Sequence, residues 1–535
     1  MLRAFILLSL LVPGLASAQD KATLDTRQLL AETVTTAKPR AEFLNGTRDS
    51  LPAFVRVLAK YKQLTAPPAV VQDPASLPSP APAKKAVGMN LSGLSWYASR
   101  QTFTNLLQGG YWAINWAQVP SDKLDALGYP KDWSQSYVRL LGAPTGGWVN
   151  QTSIACSWKG SGTLTHSGSV NQVKGDHTLA FDMPSWGGAV KNTWFSLYGV
   201  NAADPFREFE CHDAKNASGN EFSKEVIASS SKYAVLRFMD WNETNSSPAR
   251  TAANRPDPRT LDNPGQALEN QMRLAKLADA DPWFNHSWND DATYMQWAAK
   301  QAHDTLPAGH KIYVELSNEV WNFQFWQAQD NLAQATTLKI NANNGYGAWQ
   351  NYSRRAIDMF KIWEAAFADR PKDLVRVLGT QSAYPEVTRQ EMSYPGIADH
   401  VDAIAGAPYF SHDRQVPYSD ALLQASVTDA VATLKTTCEI ARASAPNIRC
   451  ITYEGGQHEL PTALLPQDQF ETLERSQFMG DMYAQYLKAI SAQADLVMLF
   501  NDVGPISKYG AWGAQEYGGQ VGAPKQLAIE QFIKP

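Results

Sequence analysis

Two glutamates in this chain stand where packing alone would not put them. Glu319 falls in the stretch Lys311 to Asn322, KIYVELSNEVWN, where the short apolar and aromatic run Ile312 to Leu316 gives way to Ser317, Asn318, Glu319, Trp321 and Asn322. Glu454 closes the run Arg449 to Gly456, RCITYEGG, and is followed by two glycines. Each run has the length and composition of a buried strand. Each ends abruptly in a carboxylate, and such conflicts between pattern and burial mark functional sites. Glycoside hydrolysis needs two carboxyls, one to protonate the leaving oxygen and one to attack the sugar or to activate water. Further polar groups gather at other strand ends: Arg237 and Asp240 in KYAVLRFMD, His286 and Asp290 in DPWFNHSWNDD, Tyr409 in VDAIAGAPYF, and His458 just beyond Glu454. Trp321 and Trp512 lie beside such ends and are candidate stacking faces for a sugar.

The elements that must position these residues alternate. Strand candidates begin near Val87, Lys232, Asp281, Lys311, Leu374, Val401, Arg449 and Asp495. Helical periodicity lies between them, over 268–280, 292–306, 324–338, 349–368, 420–444 and 479–493. Eight strands alternating with helices, with polar residues after the strands, predict a (β/α)8 TIM barrel with its site at the C-terminal ends of the strands. Between the first and second strands, 109–217 is rich in Gly, Ser and Thr and carries short alternating runs such as Gly162 to Thr165, Leu179 to Asp182 and Asn192 to Tyr198. That pattern predicts an inserted antiparallel, sandwich-like β-unit. The barrel is then assigned to 87–108 and 218–535.

The start of the chain reads differently. Residues 1–18 have a positive residue, an apolar stretch and a small-residue end, Ala16-Ser17-Ala18, as a secretory signal peptide does. Residues 19–64 read as a partly helical segment, and 65–86 as a Pro/Ala-rich linker. A secreted or periplasmic location permits disulfides. The four cysteines are expected to pair as Cys156–Cys211 and Cys438–Cys450, since each pair falls inside one unit.

The 535 residues, 44% hydrophobic and 19% charged, are enough for several packed units. A net charge of −5 argues against a nucleic-acid or anionic-membrane partner. No later run reaches membrane-span length, so no membrane partner is expected after cleavage of the leader. Glu454 and His458 are four residues apart, as are His286 and Asp290, a spacing that could serve zinc. Gly455 and Gly456 break the helix that would align the first pair, and no HExxH occurs. No metal and no cofactor are therefore expected. A non-catalytic carbohydrate-binding protein is the remaining alternative, because fold alone does not establish activity.

An Asn-Glu at the end of the fourth strand and a Glu at the end of the seventh resemble the clan A glycoside hydrolases, retaining (β/α)8-barrel enzymes. The resemblance covers about 87–90 and 232–503. It implies that Glu319 is the acid/base, Glu454 the nucleophile, and Asn318 an amide for the sugar 2-hydroxyl. It implies further that Arg237 is held against the nucleophile and that Tyr409 orients it. The expectation is a secreted retaining hydrolase of a polysaccharide or oligosaccharide. Arg237 should keep Glu454 ionised by lowering its pKa, and an apolar wall such as Trp321 should keep Glu319 protonated.

Overall fold

In the computed structural model, eight short runs become the parallel strands of one sheet, and they curl until the first and last elements of the chain meet. The structure describes residues 84–95, 98–140, 152–183, 194–213 and 218–534. The proposed signal peptide, the 19–64 segment and all but the last residues of the linker lie outside the described residues. The strands are β1 (Val87–Asn90), β2 (Val235–Arg237), β3 (Asp281–His286) and β4 (Ile312–Leu316), followed by β5 (Leu374–Gly379), β6 (Ala403–Gly406), β7 (Arg449–Thr452) and β8 (Val497–Leu499). Neighbours in sequence pair in parallel from β1 to β7, and β8 returns to pair with β1. The last seam, β7 to β8, is a single bridge, Ile451 to Leu496. There Asp495 N donates to the Cys450 carbonyl at 2.7 Å and Thr452 N to the Leu496 carbonyl at 3.0 Å.

Successive strand side chains point to opposite faces, so alternate residues fill the barrel. Its interior cluster takes Val235, Trp283, Tyr313, Val375 and Val377, Ala403 and Ala405, Ile451 and Tyr453, Leu496 and Met498. Two residues on from Val235, Trp283 and Tyr313, the same inward face offers Arg237, Asn285 and Glu315. The outward faces pack under helices in two larger clusters. Helix 420–444 spans the residues its periodicity predicts, opening on Ser419, whose side chain accepts from Leu422 N. Short helices at Lys224–Ser230, Glu386–Met392, Ile397–His400 and Gln467–Glu474, and the C-terminal one at Pro524–Ile533, were not legible. Three are under eight residues, too short for a periodic stripe to show.

Among the described residues between β1 and β2 lie two antiparallel sheets, one of four strands and one of five. Buried residues from both sheets, among them Trp112, Ile154, Leu179, Phe195 and Phe209, form one cluster. The Cys156–Cys211 disulfide joins directly paired residues of that unit, and Cys438–Cys450 ties helix 420–444 to β7. Leu261, from the long segment after β2, is itself part of the inserted unit's core, and its carbonyl accepts from Arg139 Nη2 at 3.0 Å. The two units are thus keyed together on the side of the barrel where β1 and β2 end.

Candidate active site

Arg237, the last residue of β2, is wholly buried and uses all five of its N–H donors. Nε and Nη2 donate to Glu315 Oε2 at 3.0 and 2.9 Å. Nη1 donates to Asn90 Oδ1 and to Glu454 Oε1, both at 3.0 Å, and Nη2 also reaches Asn318 Oδ1 at 3.0 Å. Its guanidinium lies between the Trp283 and Tyr453 rings, 5.4 and 5.1 Å from their centroids. One cation therefore fixes the ends of β1, β2, β4 and β7 relative to one another.

Glu454 is buried, 5% exposed, with its second oxygen accepting from the Tyr409 hydroxyl at 2.9 Å. Glu319 is half-buried and accepts from Asn322 Nδ2 at 2.9 Å and from the Tyr453 hydroxyl at 3.3 Å. After β4 the backbone turns through two left-handed residues, Ser317 (φ 63°) and Glu319 (φ 44°), a conformation that non-glycine residues hold only where surroundings impose it. This turn aims Glu319 across the barrel mouth toward the Tyr453–Glu454 strand end.

The electrostatics correct one expectation. Burial pushes the Glu454 carboxyl up, to about 8; Arg237 pulls it back and Glu319 pushes it further. Arg237 does act in the expected direction, but its charge is shared with Glu315, so it does not offset the loss of water. Burial also raises Glu319, against its contacts with Asn322 and Tyr453, and raises Glu315, against Arg237, Asn285 and Trp283. The two neighbouring carboxyls both resist ionisation and release their protons as a pair. The donors decide where the charge rests. Glu454 receives a cation and a hydroxyl, whereas Glu319 receives only neutral donors, so the hydrogen bonds favour charge on Glu454 over charge on Glu319.

Tyr409, His458 and Trp512 form an aromatic wall beside Glu454, with ring centroids 5.3 Å apart for the first pair and 5.7 Å for the second. His458 Nδ1 accepts from Trp512 Nε1 at 3.1 Å. Burial, with Arg414 adding to it, pushes the His458 pKa down to about 4. Its ring is therefore neutral near pH 7, with the proton on Nε2. Trp321 Nε1 is buried and has no hydrogen-bond partner among the described residues. Asn318 Nδ2 is engaged, donating to Asn245 Oδ1 at 3.1 Å. The structure does not bring His286 and Asp290 to this site. Both are buried behind it, with His286 Nδ1 at 2.9 Å from Asp290 and its Nε2 accepting from Trp363 Nε1 at 3.0 Å. Their spacing serves the packing of β3 on its helices. Among the described residues no group of three or more His, Cys, Asp or Glu is placed to hold a metal ion.

Sequence reasoning missed Glu315, Tyr453, Asn285 and Asn245. The signal for Glu315 was present, a carboxylate inside the apolar run IYVEL. Asp240, three residues past Arg237, also bears on the pair: its carboxyl, pushed up to about 6 by burial, raises that of Glu454 in turn.

No family model and no curated protein matches the chain. Solved structures do match. A GH51 alpha-L-arabinofuranosidase from Thermotoga petrophila RKU-1 aligns at 13% identity and TM-score 0.39, over 59% of this chain and 64% of its own. A 4-O-alpha-L-rhamnosyl-beta-D-glucuronidase from Fusarium oxysporum 12S aligns at 14% and 0.36, over 57% of this chain and 62% of its own. A beta-glucosidase from Thermotoga maritima aligns at 11% and 0.33, over 56% and 83%. Those proteins are glycoside hydrolases. At such TM-scores the likeness decides nothing about this chain, whose barrel is observed directly.

Proposed function

We propose that this protein is a secreted retaining glycoside hydrolase acting on a polysaccharide or oligosaccharide. Glu454 serves as nucleophile and Glu319 as acid/base. The observation that carries the reading is the asymmetric pair at the ends of β4 and β7, where Glu454 is held by Arg237 and Tyr409 and Glu319 by neutral groups alone. In the first step Glu319 protonates the leaving oxygen while a Glu454 oxygen attacks the anomeric carbon. Forming that bond removes the negative charge on Glu454, so Glu319 then accepts a proton from water, which attacks the same carbon and releases Glu454. The aromatic wall of Tyr409, His458 and Trp512 offers a face to the sugar, and the buried indole N–H of Trp321 is available as a donor. The catalytic unit is taken as 87–108 and 218–535, with 109–217 as an accessory β-unit. The leader-like residues 1–18 and the two disulfides support export.

The test is hydrolysis of a panel of β-glucans, xylans, mannans, galactans and exopolysaccharides, with the product anomer read early by NMR. Glu454→Gln is expected to abolish turnover. Glu319→Gln should lower it about 10²–10⁴-fold, with the smallest loss on substrates whose leaving group needs no proton. An inverted anomer, or near-normal turnover by Glu454→Gln, defeats the assignment.

A further inference from the structure

The inserted β-unit does more than cover the barrel edge. Where it faces the segment after β2, the two enclose a cleft of about 820 Å³, within the range of ligand pockets, roughly 300–1,000 Å³. Leu94 and Ser95, after β1, and Glu243 to Gln266, after β2, form one wall, and residues 109–128 of the insertion form the other. Both barrel segments follow the C-terminal ends of their strands, so the cleft opens on the same face as the catalytic pair. Asn245, two residues beyond the lining residue Glu243, accepts from Asn318 Nδ2 at 3.1 Å. The wall of the cleft is therefore hydrogen-bonded to the residue that precedes Glu319.

Trp116 lines this cleft from the tip of a hairpin. Ile114 pairs with Ala117 across a two-residue turn, Asn115-Trp116, and both turn residues have positive φ, 50° and 66°. Turns of this kind favour Asn followed by Gly. Asn115 suits its place, but an indole stands where glycine is preferred, in a conformation that disfavours bulky side chains. Its ring is braced edge-on against Trp194, with centroids 5.0 Å apart. A bulky aromatic held against its backbone preference and facing a polar cleft points to a ligand with a flat apolar face.

The charges narrow the ligand. The cleft is lined by four carboxylates, Asp125, Glu243, Asp257 and Asp262, and two guanidinium groups, Arg250 and Arg255. Both arginines are turned to other acids, Arg250 to Asp290 at 3.5 Å and Arg255 to Glu269 at 2.8 Å. Asp125 and Glu243, by contrast, hold only neutral donors: the backbone N–H groups of Leu127 and Tyr129, and the Asn263 amide. A chain carrying carboxylates or sulfates would meet uncompensated like charge.

We infer that this cleft is a second glycan-binding site, in which the Trp116 indole stacks on a sugar ring of a chain free of carboxylate and sulfate groups. It rests on the reading of the protein as one that acts on glycans, and it makes the inserted unit a selector for long, uncharged substrates.

Affinity electrophoresis tests it in the Glu319→Gln background, which spares the polymer, with gels containing β-glucan, xylan, galactomannan or polygalacturonate. At least one neutral polymer should retard Glu319→Gln, and polygalacturonate should not. Adding Trp116→Gly should weaken that retention about tenfold without loss of folding, because glycine suits the turn. Unchanged retention in the double variant, retention by polygalacturonate alone, or retention by no neutral polymer overturns the inference. Turnover separates the two proposals: if the wild type hydrolyses nothing while the Trp116 effect on binding holds, the hydrolase reading fails and the glycan cleft stands.

Discussion

Arg237 and Glu315 form a buried ion pair, with side chains 0% and 1% exposed, and such pairs are asymmetric in energy. The intact pair is worth little, because desolvation offsets attraction; removing one partner leaves an uncompensated charge and costs about 3–5 kcal/mol. Glu315→Ala is therefore expected to destabilise the protein by about 3–5 kcal/mol in urea unfolding. Activity should fall with it, since Arg237 also positions Glu454. A loss within the range of surface substitutions would show that Glu315 is a bystander. The carboxyl of Glu454 makes a second prediction. Its pKa rises from 4.5 to about 8 on folding. Between those values the unfolded chain has released the proton that the folded Glu319–Glu454 pair keeps, so stability falls as pH rises. Glu454→Gln lessens that dependence, because one of the two buried carboxyls is gone. The melting temperature of the variant relative to wild type should climb between pH 5 and pH 8, and a flat difference would contradict the burial of this carboxyl.

At the scale of elements, the inserted unit has its own core, and its central disulfide closes a separation of 55 residues. A cross-link of this kind contributes about 2–4 kcal/mol. Replacing Cys156 and Cys211 by serine should give the insertion an earlier thermal transition and early proteolytic cuts within 109–217. Turnover of short substrates by the barrel should survive. A single transition at the wild-type temperature would count against separate cores. The barrel elements follow from simple rules, as inward residues alternate along each strand and the network of Arg237, Glu315 and Asn285 occupies a single layer of that alternation. The left-handed turn through Ser317 and Glu319 has no local sequence signal, because neither residue prefers it; contacts made by the whole barrel mouth hold it there.

For the whole molecule, closure is the demanding step, since β1 must find β8 near the far end of the chain. The C-terminal helix seals that seam. Ile529 is fully buried in the core shared with Val87 and Val497, Lys525 pairs with the buried Glu474 at 2.9 Å, and Lys85 Nζ donates to the Phe532 carbonyl at 2.6 Å. Deleting 524–535 is expected to leave a chain that does not fold to a soluble form, whereas truncating only 534–535 should be tolerated. Soluble, active protein from the longer deletion would place the closing energy elsewhere.

The sequence alone determined what depends on local pattern. Strand runs, the long helices, the interruption between the first two strands and the carboxylates that end IYVELSNE and RCITYE could all be read, since periodicity and a sudden change of polarity are properties of neighbouring residues. What only the tertiary structure decided depends on groups far apart in the chain. Glu454 is buried, and Arg237, shared between two acids, does not offset that burial, so the carboxyl is raised rather than lowered. His286 and Asp290 turn into the packing behind β3 instead of the mouth. Trp116 faces a cleft whose other wall is drawn mostly from 243–266, more than a hundred residues away. Charge compensation, burial and enclosure are sums over everything nearby in space, and a linear pattern does not carry those sums.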